Sequence, residues 1–279
     1  MKLIVFGGSG YLGSRICKGL GADHVAYYSR SRNQDLDSSG CKWIEGSIGE
    51  EAKVVETIKD YDTIVDSAGI WDQRQQKHGD VNIGGVKNIV AGIRKYDTDQ
   101  RFIYVSHINV DFGPMEHFRT RRVTEGNVNL IKNSMVIRAS NLFGYGSRLF
   151  SDLQVISRSG AKEIPATGNL APVHVDDFVT VMAKNNGFRG SMNVCSREAV
   201  SLGEAVNVIR RANGEKPAVL VTKSLRSAEK SLSKLRELVG LDPDRLDMLN
   251  LNYYRENTSL YRYVPEPKSF TDYLQEGKA

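Results

Sequence analysis

The sequence predicts an α/β fold: a doubly wound parallel sheet with helices on both faces and a small C-terminal substrate lobe. Three observations predict it. Short apolar runs alternate with amphipathic helical segments over the first half of the chain, the pattern of strand–helix–strand units. The first such run, Lys2–Phe6, closes on the glycine-rich stretch Gly7-Gly8-Ser9-Gly10-Tyr11-Leu12-Gly13. The 279 residues, 40% hydrophobic and 25% charged, suffice for one large α/β domain with an appended lobe.

The elements follow in order. Lys2–Phe6 reads as a buried strand, Tyr11–Leu20 as a helix, His24–Ser29 and Lys42–Glu45 as strands, and Glu50–Lys59 as a helix. Thr63–Asp66 is a strand ended by Ala68-Gly69. Val81–Tyr96 is a long helix, because Val86, Ile89, Val90 and Ile93 recur at three- and four-residue spacing. Phe102–Ser106 and Met135–Arg138 read as strands flanking a helix, Glu116–Ile131. Beyond them Leu142–Gly146 reads as a loop, Leu149–Ile156 as a helix, and Pro172–Val175 as a short strand before a helix capped by Asp176 or Asp177. Met192–Val194, Leu202–Ala212 and the charged Ser224–Val239 continue as strand, helix and helix. The expected division is a nucleotide-binding domain over 1–145, with 146–279 holding the remaining sheet elements interleaved with the lobe.

Charge and cysteine content narrow the function classes. The net charge of +5 comes without a long basic block or a recognition motif, which argues against a nucleic-acid partner. Cys17, Cys41 and Cys195 are odd in number and far apart, which fits neither a disulfide framework nor a zinc site. No metal is expected. Reduced thiols, and an N-terminal apolar run too short for a signal peptide or span, point to a cytoplasmic protein, with peripheral attachment to a membrane left open. Lys223, Arg226, Lys230 and Lys234 step at three and four residues, either a solvated helix face or a surface for an acidic partner or anionic membrane.

Gly8, Gly10 and Gly13 form G-x-G-x-x-G after a strand and at the start of a helix, the context a dinucleotide site requires. Early glycines allow a tight turn, a middle glycine lets backbone N–H groups approach a diphosphate, and Gly13 lets helix and strand pack closely. The helix start then offers unpaired N–H donors and partial positive charge to the phosphates, so Gly7, Gly8, Ser9, Gly10, Tyr11, Leu12 and Gly13 are expected to hold them. The unit so predicted is a Rossmann unit. Its second strand ends Tyr27-Tyr28-Ser29-Arg30-Ser31-Arg32, without the carboxylate that bonds a ribose 2′-OH in NAD-specific sites. Arg30 and Arg32, with Ser29 and Ser31, suit a 2′-phosphate, so NADP(H) is expected over NAD(H).

These residues resemble the short-chain dehydrogenase/reductase superfamily of the extended, atypical kind. Gly7–Gly13 resembles its cofactor loop, Asp66-Ser67-Ala68-Gly69 its N-x-A-G element with Asp for Asn, and Asp80-Val81-Asn82 with Gly85 its V-N-x-x-G helix start. Phe102–Ser106 resembles the strand that carries the active-site Ser, Arg138–Gly144 the R-P-x-x-x-F-G stretch, and Pro172–Asp177 the P-V-H-V-D-D segment. A narrower resemblance is to the branch that includes the dehydrogenase-like accessory subunit of respiratory complex I. It is carried by Ser106–Asn109, His117–Arg121, Ser147–Phe150 and looser motifs near the C-terminus. The superfamily resemblance implies cofactor contacts from Ser67, Ala68, Gly69 and Asn82. The branch implies a tightly held NAD(P)(H) in a quinone- or respiration-linked oxidoreductase or cofactor-binding subunit. Its substrate would be a quinone or carbonyl compound, and its partner a respiratory assembly or membrane surface.

The resemblance also shows where this chain departs. Active members use Ser, Tyr and, four residues on, Lys. Here Ser106 holds the first position, His117 the Tyr position and Arg121 the Lys position, and no tyrosine in the chain has Lys four residues later. Either His117 has taken over proton transfer, with Arg121 on the ribose, or the hydride chemistry has lapsed and Arg121 only holds the cofactor. Loss of a matched acid/base pair favours lapsed or much reduced chemistry. A redox sensor and, more remotely, a nucleotide-sugar epimerase or reductase remain as other readings.

Overall fold

A computed structural model describes residues 1–70, 76–96, 99–185, 187–222 and 225–276. Contact density divides the chain into two units, Met1–Arg138 with Val179–Met192, and Ala139–Phe178 with Asn193–Ala279.

The first unit opens with β1 (Lys2–Phe6), α1 (Tyr11–Gly19), β2 (His24–Ser29), α2 (Gln34–Ser38), β3 (Lys42–Glu45), α3 (Glu51–Ile58) and β4 (Thr63–Asp66). A π-helical turn, Gly79–Gly84, leads into α4 (Gly85–Tyr96), followed by β5 (Arg101–His107), α5 (Glu116–Val128) and β6 (Ser134–Ala139). Then come β7 (Leu142–Phe143), α6 (Arg148–Ser157), β8 (Glu163–Pro165), β9 (Val173–His174), α7 (Val175–Lys184) and β10 (Gly190–Val194). The chain ends with α8 (Leu202–Ala212), β11 (Val219–Val221), α9 (Leu225–Leu238), α10 (Pro243–Leu249), α11 (Leu260–Tyr263) and α12 (Phe270–Gln275).

Seven strands form the main sheet in the order β10-β6-β5-β4-β1-β2-β3. The pairs from β3 through β2, β1 and β4 to β5 are parallel. Order reverses at β1, so the β1–β4 boundary is the switch point at whose carboxyl edge open α/β sheets bind ligands. On one face of the sheet Ile4, Phe6, Ile64, Phe102 and Tyr104 pack with Val86, Ile89, Val90 and Ile93, the predicted stripe of α4. Parallel strands covered on both faces read as continuous apolar runs, which is why β1, β4 and β5 are legible in the sequence.

In the second unit β7 pairs with β9 and β8 with β11. A separate core gathers Phe143, Leu153, Ile156, Leu202, Val206, Leu235 and Phe270. Caps set its helices: Ser201 and Glu204 make a capping box on α8, Asp242 accepts from the Arg245 amide ahead of Pro243, and Ser269 caps α12. Glu198 also accepts from the Phe270 and Thr271 amides.

Several expectations need correction. The short helix α2 and the strands β8 and β11 carry too few periodic residues to stand out. Leu142–Phe143 is a strand, because it pairs with Val173–His174. The helix expected at Asp176 or Asp177 begins at Val175, so neither aspartate is its cap. Asp177 instead accepts from the Lys268 amide at 2.8 Å. Of the basic stripe, Lys223 lies outside the described residues, and Lys234 pairs with Glu163. No described helix is long and apolar enough to cross a membrane.

The second unit rests on one buried ion pair. Arg245 Nε donates to Asp152 at 2.7 Å with side chains 3% and 2% exposed, and Arg148 reaches the other carboxylate oxygen at 2.9 Å. Removing the carboxylate strands a buried cation, so Asp152→Ala should lower unfolding stability by about 3–5 kcal/mol in urea titrations. The solvent-exposed Lys59–Glu56 pair should contribute far less in the same assay.

Candidate functional site

The turn between β1 and α1 builds the floor of the site. Gly7 has φ +73°, a left-handed conformation that a side chain would strain, and its amide donates to the Tyr28 carbonyl at 3.0 Å. A Cβ on Gly13 would lie 2.2 Å from the Gly7 carbonyl oxygen and 2.7 Å from Gly8 Cα, so only glycine lets α1 start this close to β1. Gly10 caps α1 without a side-chain acceptor, and no acidic residue sits in the first turn. The positive end of α1 thus meets no side-chain acceptor from its own cap or first turn, and Ser9, Tyr11 and Leu12 lie in or beside that turn. The absence of Cβ atoms where the chain doubles back fits a bound diphosphate.

The β4 end stands beside this turn, because Phe6 registers with Asp66. Ser67 donates through both amide and hydroxyl to the Phe6 carbonyl, at 3.1 and 2.9 Å, and a Cβ on Gly7 would meet Ala68 at 2.8 Å. The Asp66 carboxylate accepts from the Ala68 amide at 2.9 Å. Burial pushes the Asp66 carboxyl up to about 7, against the opposing effects of that hydrogen bond and of Arg121.

At the tip of β2 the structure separates the two arginines. Arg32 Nε is bound to Asp37 at 2.5 Å, and its guanidinium lies 5.6 Å from the Trp43 ring. Asp37 also accepts from Tyr27 Oη at 2.7 Å, a bond that holds its carboxyl below the usual range, with Arg32 adding to it. Arg30 is exposed and donates to a neutral group, Gln76 Oε1, at 2.9 Å. Ser29 is buried and donates to the Ser31 carbonyl at 2.7 Å, while Ser31 is exposed. The carboxylate missing at the strand tip thus arrives from α2, eight residues beyond Ser29. The sequence signal was there, a short acidic helix, but it carried no periodicity.

The remaining residues meet on α5, whose buried face is mostly polar: His117, Thr120, Arg121, Thr124 and Glu125 beside Phe118 and Val128. Arg138 on β6 fixes this helix through Glu125, at 2.6 Å. Arg121 Nη1 donates to the Val105 carbonyl at 2.8 Å and to Tyr104 Oη at 3.3 Å. Its Nη2 lies so close to Gly69 that a Cβ there would come within 2.6 Å, so Gly69 is the residue that admits the guanidinium. Ser106 is 2% exposed, and its hydroxyl makes no hydrogen bond among the described residues. Asn82 Nδ2 donates to Thr120 Oγ1 at 2.9 Å, tying the π turn to α5. His107 is 5% exposed and its ring stands 5.5 Å from His117. The ring of His78, not singled out in the sequence, stands 5.4 Å from that of His117. Tyr145, by contrast, is 79% exposed and caps no core.

The buried Asp66 sets a pH dependence. Its carboxyl holds a proton up to about 7 in the folded chain against 3.8 ordinarily, so the native state binds more protons than the unfolded state between those values. Stability therefore falls as pH rises through that window. Asp66→Asn should abolish this slope and raise the melting temperature at pH 8, by at most about 4 kcal/mol of stability, with little change at pH 4. Thermal melts across pH check this, and an unchanged slope in the variant would contradict it.

Comparisons agree with this construction. The family model for the 3-beta hydroxysteroid dehydrogenase/isomerase family matches residues 4–141. A 2-alkyl-3-oxoalkanoate reductase from Stenotrophomonas maltophilia (strain K279a) is 29% identical over 111 residues, which are 38% of this chain and a third (33%) of the relative's length. The Citrobacter sp. triphenylmethane reductase, solved with NADP(H), superposes with TM-score 0.75 at 13% identity over 100% of both chains. The Bordetella bronchiseptica enzyme WbmH, solved with NAD+, superposes with TM-score 0.73 at 16% identity over 98% of this chain and 96% of its own. The chain is thus similar to the 3-beta hydroxysteroid dehydrogenase/isomerase family over residues 4–141, and over its whole length it shares the fold of these nucleotide-bound enzymes.

Proposed function

We propose that the protein is an NADP(H)-dependent reductase of a carbonyl group, a ketone or a quinone, in which His117 supplies the proton. The observation that carries this reading is convergence. The glycine turn, Gly69 with the Arg121 guanidinium, the unbonded Ser106 hydroxyl and the His117 imidazole all lie at the carboxyl edge of β1, β4 and β5. The names of two relatives, a 3-oxoalkanoate reductase and a triphenylmethane reductase, support reduction as the reaction class.

The backbone of Gly7–Gly13 would hold the diphosphate, and Arg30 the 2′-phosphate, since Arg32 is already neutralised by Asp37. When bound, the nicotinamide supplies a hydride. Ser106 would orient the substrate oxygen with its free hydroxyl. His117 would give that oxygen a proton, as an imidazole with an ordinary pKa of about 6.5 suits this near neutrality. Arg121, fixed by the Val105 carbonyl and by Tyr104, keeps a permanent positive charge beside Gly69 where a Lys would act in active relatives.

A second reading draws on the same substitutions. With the Tyr and Lys both replaced and His117 2% exposed, the protein would hold NADP(H) without turnover, as a sensor or a subunit of a respiratory or membrane-bound assembly. The narrower complex-I-branch resemblance points this way.

One measurement tests the cofactor and a second separates the readings. Arg30→Ala should weaken NADPH binding about tenfold or more and leave NADH binding unchanged in calorimetric titrations, with a smaller effect for Arg32→Ala. Tighter binding of NADH by the wild-type protein would refute the NADP assignment. In assays of NADPH oxidation with ketone and quinone acceptors, His117→Ala should lower kcat by about 10²–10⁴ with the NADPH dissociation constant unchanged. Absence of wild-type turnover with every acceptor, despite tight NADPH binding, would favour the second reading.

A further inference from the structure

Two opposite charges meet where a 2′-phosphate would be read. Arg32 lies three residues beyond the end of β2. Its guanidinium stands 5.6 Å from the ring of Trp43, whose Nε1 donates to the Ser29 carbonyl at the strand's end, at 3.2 Å. The next residue, Asn33, reaches the Ser9 carbonyl of the glycine turn with its side-chain amide at 3.5 Å. Arg32 therefore borders both the strand tip and the diphosphate turn, all within the first unit. It does not stand there alone. Its Nε is bound at 2.5 Å to Oδ2 of Asp37, on α2.

The carboxylate is the fixed member of this pair. Its Oδ1 accepts from Tyr27 Oη at 2.7 Å, and Tyr27, on β2, is fully buried. The same phenol oxygen accepts from the Asn33 amide at 3.0 Å, so Tyr27 ties the strand to the start of α2. The Asp37 side chain is 21% exposed and that of Arg32 63%. A buried anchor thus holds the anion, while the cation reaches it from solvent. Both carboxylate oxygens are engaged within the protein, which suits Asp37 poorly to bond a ribose hydroxyl as the acid of an NAD site does. Its negative charge remains, and a 2′-phosphate would meet that charge at the same strand tip. Arg30, by contrast, donates to the neutral Oε1 of Gln76.

We infer that Asp37 is a specificity-determining residue, a built-in counter-charge that withholds Arg32 from the cofactor and keeps the preference for a 2′-phosphate small. The inference rests on the NADP(H) reading above and concerns how strongly that site discriminates. With Asp37 ionised, Arg32 brings no net charge to the strand tip, and Arg30 is left to tell NADPH from NADH. NADPH binding must then either break the Arg32–Asp37 pair or leave its phosphate facing the carboxylate. Both cost affinity for NADPH and none for NADH, whose ribose carries a neutral hydroxyl there. A strand tip built this way admits both cofactors, and the sign of one side chain on α2 sets the ratio.

Calorimetric titrations of the full chain with NADPH and NADH test this in the wild type, Asp37→Asn, Arg32→Ala and the double variant, without recourse to turnover. Asn keeps an oxygen for Tyr27 Oη and removes only the charge. Asp37→Asn should tighten NADPH binding about fivefold and move NADH binding by less than about twofold. Arg32→Ala should cost about twofold or less in NADPH affinity in the wild type and about fivefold in the Asp37→Asn background, a non-additivity that reports release of the guanidinium. The gain should fade in about 1 M salt, where charges are screened beyond about 3 Å. A carboxylate that only holds α2 in place would change both nucleotides alike, and that result overturns the inference. So does weaker NADPH binding by Asp37→Asn, which would mean that the carboxylate aims Arg32 at the phosphate. Should Asp37→Asn fail to fold, Asp37→Ser gives the same comparison. Wild-type protein that binds NADH more tightly, while Asp37→Asn still shifts the ratio toward NADPH, upholds the counter-charge and sinks the NADP(H) preference instead. Protein that binds neither nucleotide sinks both.

Discussion

The lack of room at Gly13 is the constraint on which the site depends. With its Cα pressed against the Gly7 carbonyl and Gly8, α1 begins directly over the end of β1, and its uncapped amides face the sheet's carboxyl edge. Everything else in the site is placed relative to that start. The register of Phe6 with Asp66 sets the β4 loop beside the turn. The Ser67 bonds to Phe6 lock the two loops together, and Gly69 then leaves the gap into which Arg121 reaches. Two close approaches, one between backbones and one between backbone and guanidinium, explain why glycine is needed at both places.

A second principle is the polar interior of α5. A helix that packs against a sheet ordinarily buries an apolar stripe, whereas this one buries His117, Thr120, Arg121 and Glu125. Their desolvation is offset by specific partners: Glu125 by Arg138, Arg121 by the Val105 carbonyl, Thr120 by Asn82 and its own preceding turn. Ser106 Oγ and Asn82 Oδ1 are left without hydrogen bonds among the described residues.

How much of this was legible in the sequence follows from what each element carries. β1, β4, β5 and α4 were legible because burial on both faces or on one stripe imposes a pattern on consecutive residues. The glycine turn was legible because its spacing encodes its geometry. Partnerships across long separations were not: Asp37 neutralising Arg32 depends on the fold of α2, and His78 reaching His117 depends on a π turn with no sequence signature of its own. α5 gave a weak signal for the same reason that it matters, since a polar buried face looks like a solvated one in the sequence. The short pairs β7–β9 and β8–β11 had too few residues to show any period.

The path of the chain has a consequence for how the molecule is made. Its first unit is not contiguous: after Arg138 the polypeptide builds the smaller segment of the second unit, Ala139–Phe178, then returns through Val179–Met192 before leaving again. A ribosome that has delivered only the first 138 residues has therefore produced a sheet whose last strand, β10, is still untranslated, with β6 at an open edge. The first unit cannot be completed until all of that segment has emerged. Its assembly is thus bound to that of its companion during synthesis, and cutting the gene at the apparent boundary would yield an unfinished sheet instead of a free-standing module.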